Sequence, residues 1–286
     1  MSEAILSVKD LVVTFGAGRT AKTVIDHVSF ELHAGETLSL VGESGSGKTT
    51  IGRAILGLAP VSGGEVRFRD KTISNTSRRE RRKTAHDIQV VFQDPYSSLN
   101  PSMTVEDILV EPLKVAGIAD GRSRVRKLLD SVGLPADSGS RFPKEFSGGQ
   151  RQRIAIARAL ALEPAVIICD EPTSALDVTT QAKVLELLRE LQERTGVAYL
   201  FISHDLGVVN SISDRIAVLY QGHIVELGEA AQVTHHPAHD YTRRLQMSAP
   251  VADPAAQRER REQRLALFAA AGAVEPAPAI AQQPTV

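Results

Sequence analysis

Gly42-Glu43-Ser44-Gly45-Ser46-Gly47-Lys48-Thr49 is the stretch on which the fold turns. The octet satisfies G-x-x-x-x-G-K-[ST] at every fixed position, and Thr50 follows it directly. A short apolar run, Thr37–Val41 (TLSLV), precedes it, and a helix-like stretch, IGRAILGL, comes after. Strand, glycine-rich turn and helix in that order make a phosphate cradle. Glycines let the backbone curl, so that successive N–H groups aim at β- and γ-phosphates in front of a helix N-terminus. Lys48 adds a point charge for those oxygens, and the Thr49 hydroxyl is a ligand of the kind Mg²⁺ takes beside them.

The pattern around this octet alternates strand and helix. Leu6, Val8, Leu11, Val13 and Phe15 interleave with polar residues as in a half-buried strand, and Val28–Leu32 repeats the pattern. A glycine-rich turn at 62–64 leads into Val66–Phe68, and Ile88–Phe92 (IQVVF) reads as a buried strand. Helical periodicity follows at Val105–Val115 and Arg122–Val132, which predicts a helical insertion over about 95–150. Strand signals resume at Val166–Cys169, Tyr199–Ser203 and Ile216–Tyr220, with a helix at Val178–Arg194 between the first two. This alternation predicts an α/β fold with a mostly parallel sheet and helices on its faces.

Composition sets outer bounds. The chain has 286 residues, 42% hydrophobic and 23% charged, a length that suggests about two units. The balance of 33 basic and 34 acidic residues lacks the footprint of a duplex-DNA binder, and aromatics at 4% with no Trp argue against a single-strand stacking platform. No nucleic-acid partner is expected. The single cysteine, Cys169, excludes an intramolecular disulfide or a multi-cysteine metal site, and it reads as a small buried hydrophobe. No apolar run reaches the ~18 residues of a membrane span. MSEAILSVKD shows neither a basic nor an apolar signal region, so a cytoplasmic location is the expectation.

A second acidic motif narrows the chemistry. Ala165-Val166-Ile167-Ile168-Cys169-Asp170-Glu171 is an apolar strand ending in two acids. Asp170 is placed to hold Mg²⁺, directly or through water. Glu171, one residue on, is placed to face a γ-phosphate and polarise a water.

Phe146-Ser147-Gly148-Gly149-Gln150-Arg151-Gln152-Arg153 lies between these phosphate motifs. It resembles the signature motif of ABC-type ATPases. Gln93 in VFQDP resembles that family's Q-loop, Ser174-Ala175-Leu176-Asp177 its D-loop, and His204 in ISHD its switch histidine. Phe15 stands where the family places an aromatic against adenine. The resemblance covers residues ~5–235. It implies a P-loop NTPase (RecA-like) core with an N-terminal antiparallel β-subdomain and an inserted α-helical subdomain at about 95–155. It also implies an ABC ATPase domain over 1–235 and a C-terminal extension over 236–286, partly disordered.

The resemblance implies ATP and Mg²⁺ as cofactors and assigns roles. Gly42, Ser44, Gly45, Ser46, Gly47, Lys48, Thr49 and Thr50 would hold the nucleotide, and Thr49, Gln93 and Asp170 the metal. Glu171, His204 and Gln93 would carry the chemistry. Ser147 and Gly149 precede an amphipathic helix at Arg151–Leu162, so their N–H groups form a second anion site. In the family this site, with Gly148 and Gln150, meets the γ-phosphate of an opposite subunit. Asp177 reaches across the same interface. Two ATP molecules would then join a head-to-tail dimer.

Gln93–Met103 (QDPYSSLNPSM) with TVEDILVEPL is similar to ATP-binding subunits of the oligopeptide/dipeptide/nickel importer group. His236-Pro237-Ala238-His239-Asp240-Tyr241-Thr242-Arg243 resembles that group's HPYT-type element. Many members carry a cysteine-rich iron–sulfur segment here, which a one-cysteine chain cannot form. The expected partners are integral-membrane permease subunits docked on about 93–145, a second ATPase chain, like or unlike, and an extracytoplasmic solute-binding protein reached through the permease. The expected place is the cytoplasmic face of the membrane. The alternatives are a soluble ABC ATPase of DNA repair or translation, an exporter ATPase, and a degenerate regulatory cassette. The first lacks its coiled-coil insertions, zinc cysteines or tandem cassettes here, and the last would have a broken motif.

Three further stretches read as structural. His235, His236 and His239 flank a turn at Pro237. Residues 78–83 (RRERRK) read as a solvated loop, and 258–268 as a packing helix or disorder.

Overall fold

The computed structural model describes residues 3–118 and 121–248. The chain opens with β1 (Ala4–Phe15), β2 (Lys22–His33) and β3 (Thr37–Val41), then α1 (Lys48–Ile55). After these come β4 (Gly63–Phe68), β5 (Lys71–Thr72), α2 (Arg78–Thr84) and β6 (Ile88–Val91). A helical stretch follows with α3 (Pro95–Ser98), α4 (Val105–Val115), α5 (Gly121–Ser131) and α6 (Gly148–Leu160). The chain returns through β7 (Val166–Asp170), α7 (Val178–Thr195), β8 (Ala198–Ser203), α8 (Leu206–Ile212), β9 (Arg215–Tyr220) and β10 (His223–Glu229). The last described elements are α9 (Ala230–His235) and α10 (Asp240–Ser248). The helix or disorder expected at 258–268, and the disordered tail, lie outside the described residues.

Two sheets result. One has the order β2-β1-β4-β5 and is antiparallel, as the family resemblance implies. The other has the order β10-β9-β3-β8-β7-β6. Its β9, β3, β8, β7 and β6 run parallel, and only β10 is antiparallel to its neighbour.

The parallel strands β7, β8 and β9 are apolar through their middles because both faces are covered. Successive side chains point to opposite faces. Ile167 and Cys169 of β7, Tyr199 and Phe201 of β8, and Ile216 and Val218 of β9 enter one core with helices α4–α9. Val166 and Ile168, Leu200 and Ile202, and Ala217 and Leu219 enter a second core with α1 and the antiparallel sheet. The helix α1 supplies Ile51, Ala54 and Ile55 to that second core.

Residues 78–83 are not a solvated loop: they lie in helix α2. Ser77 and Glu80 form a capping box, each side chain bonded to the other's backbone N–H. The Arg81 guanidinium donates to the carbonyls of Ile55, at 2.9 Å, and of Ile73, which fastens the helix to the core. No residue of α2 is fully buried, so the stretch has no apolar periodicity by which a helix could be read. Two expected helices start earlier than the sequence pattern indicates. The first begins at Lys48 and the signature helix at Gly148, because the preceding glycine and serine already occupy the cap positions.

Candidate functional site

The parallel sheet order brings four strand ends together. β3, β8, β7 and β6 are neighbours, and their carboxyl ends carry Gly42–Thr49, His204, Asp170–Glu171 and Gln93 respectively. Ligands in open α/β sheets bind at this edge.

The loop after β3 closes on its own lysine. Gly47 caps α1 with φ +111°, a left-handed conformation that only glycine adopts readily, and a side chain there would overlap Ile25. Lys48 is 4% exposed, and its Nζ donates to the Gly42 carbonyl at 2.6 Å and the Glu43 carbonyl at 2.8 Å. Burial pushes its pKa below the ordinary lysine value, while Glu171, Asp170 and Glu43 pull it back. The Ser46 hydroxyl is buried with no hydrogen-bond partner among the described residues.

Oxygen donors gather beside the loop. Thr49 Oγ1 donates to Asp170 Oδ1 at 2.9 Å. Burial raises the Asp170 carboxyl, and the Thr49 hydrogen bond opposes that shift. Gln93 Nε2 donates to Glu171 Oε2 at 3.3 Å, which leaves the amide oxygen of Gln93 free to face a cation. His204 Nδ1 lies 3.2 Å from Glu171 Oε1. Glu171 has φ +48°, unusual for a residue with a side chain, and its N–H donates to Ile202 of β8 at 2.9 Å. Strain of this kind collects at functional sites. The open cleft is about 400 Å³ and is lined by Ser44, Gly45, Gly47, Lys48, Thr49, Thr50, Gln93 and Glu171, with Val24 from β2.

Other expected site residues lie apart from this cleft. Phe15 ends β1 paired with Lys22, is 42% exposed, and is not among the cleft-lining residues. Ser147 caps α6 in a reciprocal box with Gln150. Asp177 caps α7, accepting from the Thr180 N–H at 3.0 Å, and hydrogen bonds from Thr180 hold its carboxyl below the usual range. The two caps abut: Gly148 faces Leu176, and a methyl on Gly149 would overlap the Thr180 side chain. Alanine at a helix position normally gains up to ~1 kcal/mol over glycine. Overpacking costs about 1–3 kcal/mol. Gly149→Ala is therefore expected to show a net loss in chemical denaturation, recovered by adding Thr180→Ala.

The sequence pattern marks neither Val24 nor Tyr241 as a site residue, although Tyr241 lies in the HPYT-like element. Val24 belongs to the alternation of β2, whose next residue, Ile25, is fully buried. Tyr241, in α10, accepts a hydrogen bond from the Glu43 N–H. The histidines near Pro237 form a turn: Ala238 and His239 N–H groups donate to Glu226, and His239 Nδ1 accepts from Tyr241 N–H. Among the described residues no group of three or more His, Cys, Asp or Glu could hold a metal ion, and no helix is long and apolar enough to cross a membrane.

Comparisons with known proteins bear on the family and the fold. A family model described as ABC transporter matches residues 25–174. The glutathione import ATP-binding protein GsiA of Escherichia coli K12 is 50% identical over 269 residues, and its counterpart in Shigella flexneri is equally similar. The match takes in 91% of this chain but 43% of those relatives, so the chain spans less than half their length. Among solved structures, cbiO1 from Clostridium perfringens, part of the ABC transporter complex cbiONQ, superposes with TM-score 0.73 at 26% identity. It covers 82% of this chain and 92% of its own. The ATP-binding cassette MJ0796, as a post-hydrolysis dimer bound to ADP and Pi, gives TM-score 0.71 at 31% identity, over 79% of this chain and 98% of that one. The family model alone spans just over half of the chain, and the protein is a member of the ABC transporter family, built as an ABC-type ATPase domain.

Proposed function

We propose that this chain is the ATP-binding and hydrolysing subunit of an importer that takes up oligopeptides, dipeptides or a similar small solute. The observation that carries the chemistry is the meeting of Lys48, Thr49, Asp170, Glu171, Gln93 and His204 at adjacent strand ends. Similarity to glutathione import ATP-binding proteins, whose named solute is a small peptide, supports the solute class.

The loop from Gly42 to Thr50 holds the phosphates of ATP through backbone N–H groups at the start of α1 and the Lys48 ammonium. Thr49, Asp170 and Gln93 offer a hydroxyl, a carboxylate and an amide oxygen, the hard donors that Mg²⁺ takes. When bound there, Mg²⁺ neutralises charge on the phosphate oxygens. Glu171 orients a water and takes its proton as the water oxygen bonds to the γ-phosphorus. The bond from γ-phosphorus to the β,γ-bridging oxygen breaks, and ADP leaves with that oxygen. His204, held against Glu171, contacts the γ-phosphate.

Ser147–Gln150 and Asp177 line no part of their own chain's cleft, which supports their use on the nucleotide of a second ATPase chain in a head-to-tail dimer. The permease subunits dock against about 93–145, beside Gln93, at the cytoplasmic face of the membrane. The solute-binding protein acts on the far side through that permease.

Purified chain is expected to hydrolyse Mg–ATP with a rate per chain that rises with protein concentration. In vesicles holding the permease, ATP inside is expected to drive accumulation of labelled small peptides. Hydrolysis without peptide uptake would remove the solute assignment, and absence of hydrolysis under both conditions would remove the ATPase assignment.

A further inference from the structure

The peptide unit joining Gly42 to Glu43 is gripped at both ends by side chains. Its carbonyl oxygen, belonging to Gly42, accepts from Lys48 Nζ at 2.6 Å. Its N–H, belonging to Glu43, donates to the Tyr241 hydroxyl at 3.0 Å. Tyr241 comes from α10, 198 positions along the chain from Glu43. It is 2% exposed, and its ring lies against Tyr220 at the end of β9 with centroids 4.2 Å apart. The turn that delivers it is pinned by Glu226, whose carboxylate accepts from the N–H groups of Ala238 and His239 at 2.8 and 3.1 Å. Burial pushes the Tyr241 phenol up to about 12, so it stays neutral at physiological pH.

A peptide plane that follows a glycine turns over easily, because Gly42 tolerates backbone angles closed to other residues. Here a turned plane would aim an N–H at the Lys48 ammonium and take the donor away from the phenol oxygen. Lys48, which can only donate, therefore selects the orientation of the first plane of the phosphate loop, and the Tyr241 hydroxyl tethers the plane's other edge. The same plane fixes where Lys48 rests before phosphate arrives.

We infer that Tyr241 is a positioning residue of the nucleotide site: its hydroxyl holds the Gly42–Glu43 plane so that the loop meets phosphate already shaped. Residues 236–248 then act as a brace whose docking sets nucleotide affinity. This rests on the ATP-binding role proposed above.

The test uses the full chain with Tyr241→Phe, which keeps the ring, and Tyr220→Phe, whose hydroxyl accepts from Gln221 rather than from the phosphate loop. Calorimetric titration with Mg–ATP is expected to show Kd raised about 5-fold in Y241F, the share of one hydrogen bond. KM should rise in step with kcat held within about twofold, as a pre-binding effect requires. Y220F should bind ATP as the parent does. Amide exchange of the Glu43 N–H, read without nucleotide, should be faster in Y241F. Parental affinity in Y241F, whatever its Tm or exchange rate, would overturn the positioning role, and so would an equal loss in Y220F. Parent chain that fails to bind ATP would instead overturn the ATP reading beneath it.

Discussion

Glu171→Gln is expected to lower ATP turnover by at least 10²-fold, the lower end of what a positioned general base contributes. The amide has nearly the shape of the carboxylate but cannot take a proton from water. It also has one oxygen where Glu171 uses two, one for Gln93 Nε2 and one for His204 Nδ1. One of those contacts must therefore be lost or inverted. Binding of ATP relies on the loop and Lys48, which the substitution leaves in place, so the variant should accumulate as an ATP-bound dimer. Phosphate release and sedimentation with Mg–ATP check both halves. Turnover within threefold of the parent would remove Glu171 from its assigned role.

Lys48→Ala is expected to remove measurable ATP binding while leaving the fold standing. Burial already disfavours the Lys48 charge, so its removal relieves a cost in the nucleotide-free chain. In the complex the same ammonium is desolvated against phosphate, and breaking a buried ion pair from one side costs about 3–5 kcal/mol. At about 1.4 kcal/mol per decade, that is roughly 10²-fold to several thousandfold in affinity. Thermal unfolding gives a sharp readout. Saturating ATP should raise the Tm of the parent, because preferential binding stabilises the native state by about 2.7 kcal/mol at one hundred times Kd. The variant should melt close to the nucleotide-free parent and show no such rise. A full ATP-dependent rise in K48A would contradict the placement of Lys48 at the phosphates.

Local pattern was enough for the phosphate loop, the helices α4, α5 and α7, and every strand except β5 and β10, because each of these has its own periodicity or its own glycines. It could not show how the strand ends assemble. Gln93, Glu171 and His204 are joined only through the order β8-β7-β6, and strand order is a tertiary property. Helix α2 was missed because charge covers it all round, so only its capping box marked it. Phe15 was expected against adenine from resemblance alone, and it lies outside the lined cleft. Tyr241 had no local signature of its contact, since its partner lies 198 positions away in the chain.

The contact of Gly149 with Thr180 ties the start of α6 to the start of α7 within one chain. In the proposed dimer, both of these caps serve the neighbour's nucleotide and neither serves their own. A lesion in the signature segment would then be suffered by the sister chain, while a lesion at Lys48 would be suffered at home. Two chains broken in these different ways, once paired, would leave one composite site whole and concentrate both defects in the other. Damage in such an engine is inherited across the interface, and complementation between crippled copies follows from which side of the dimer each cap faces.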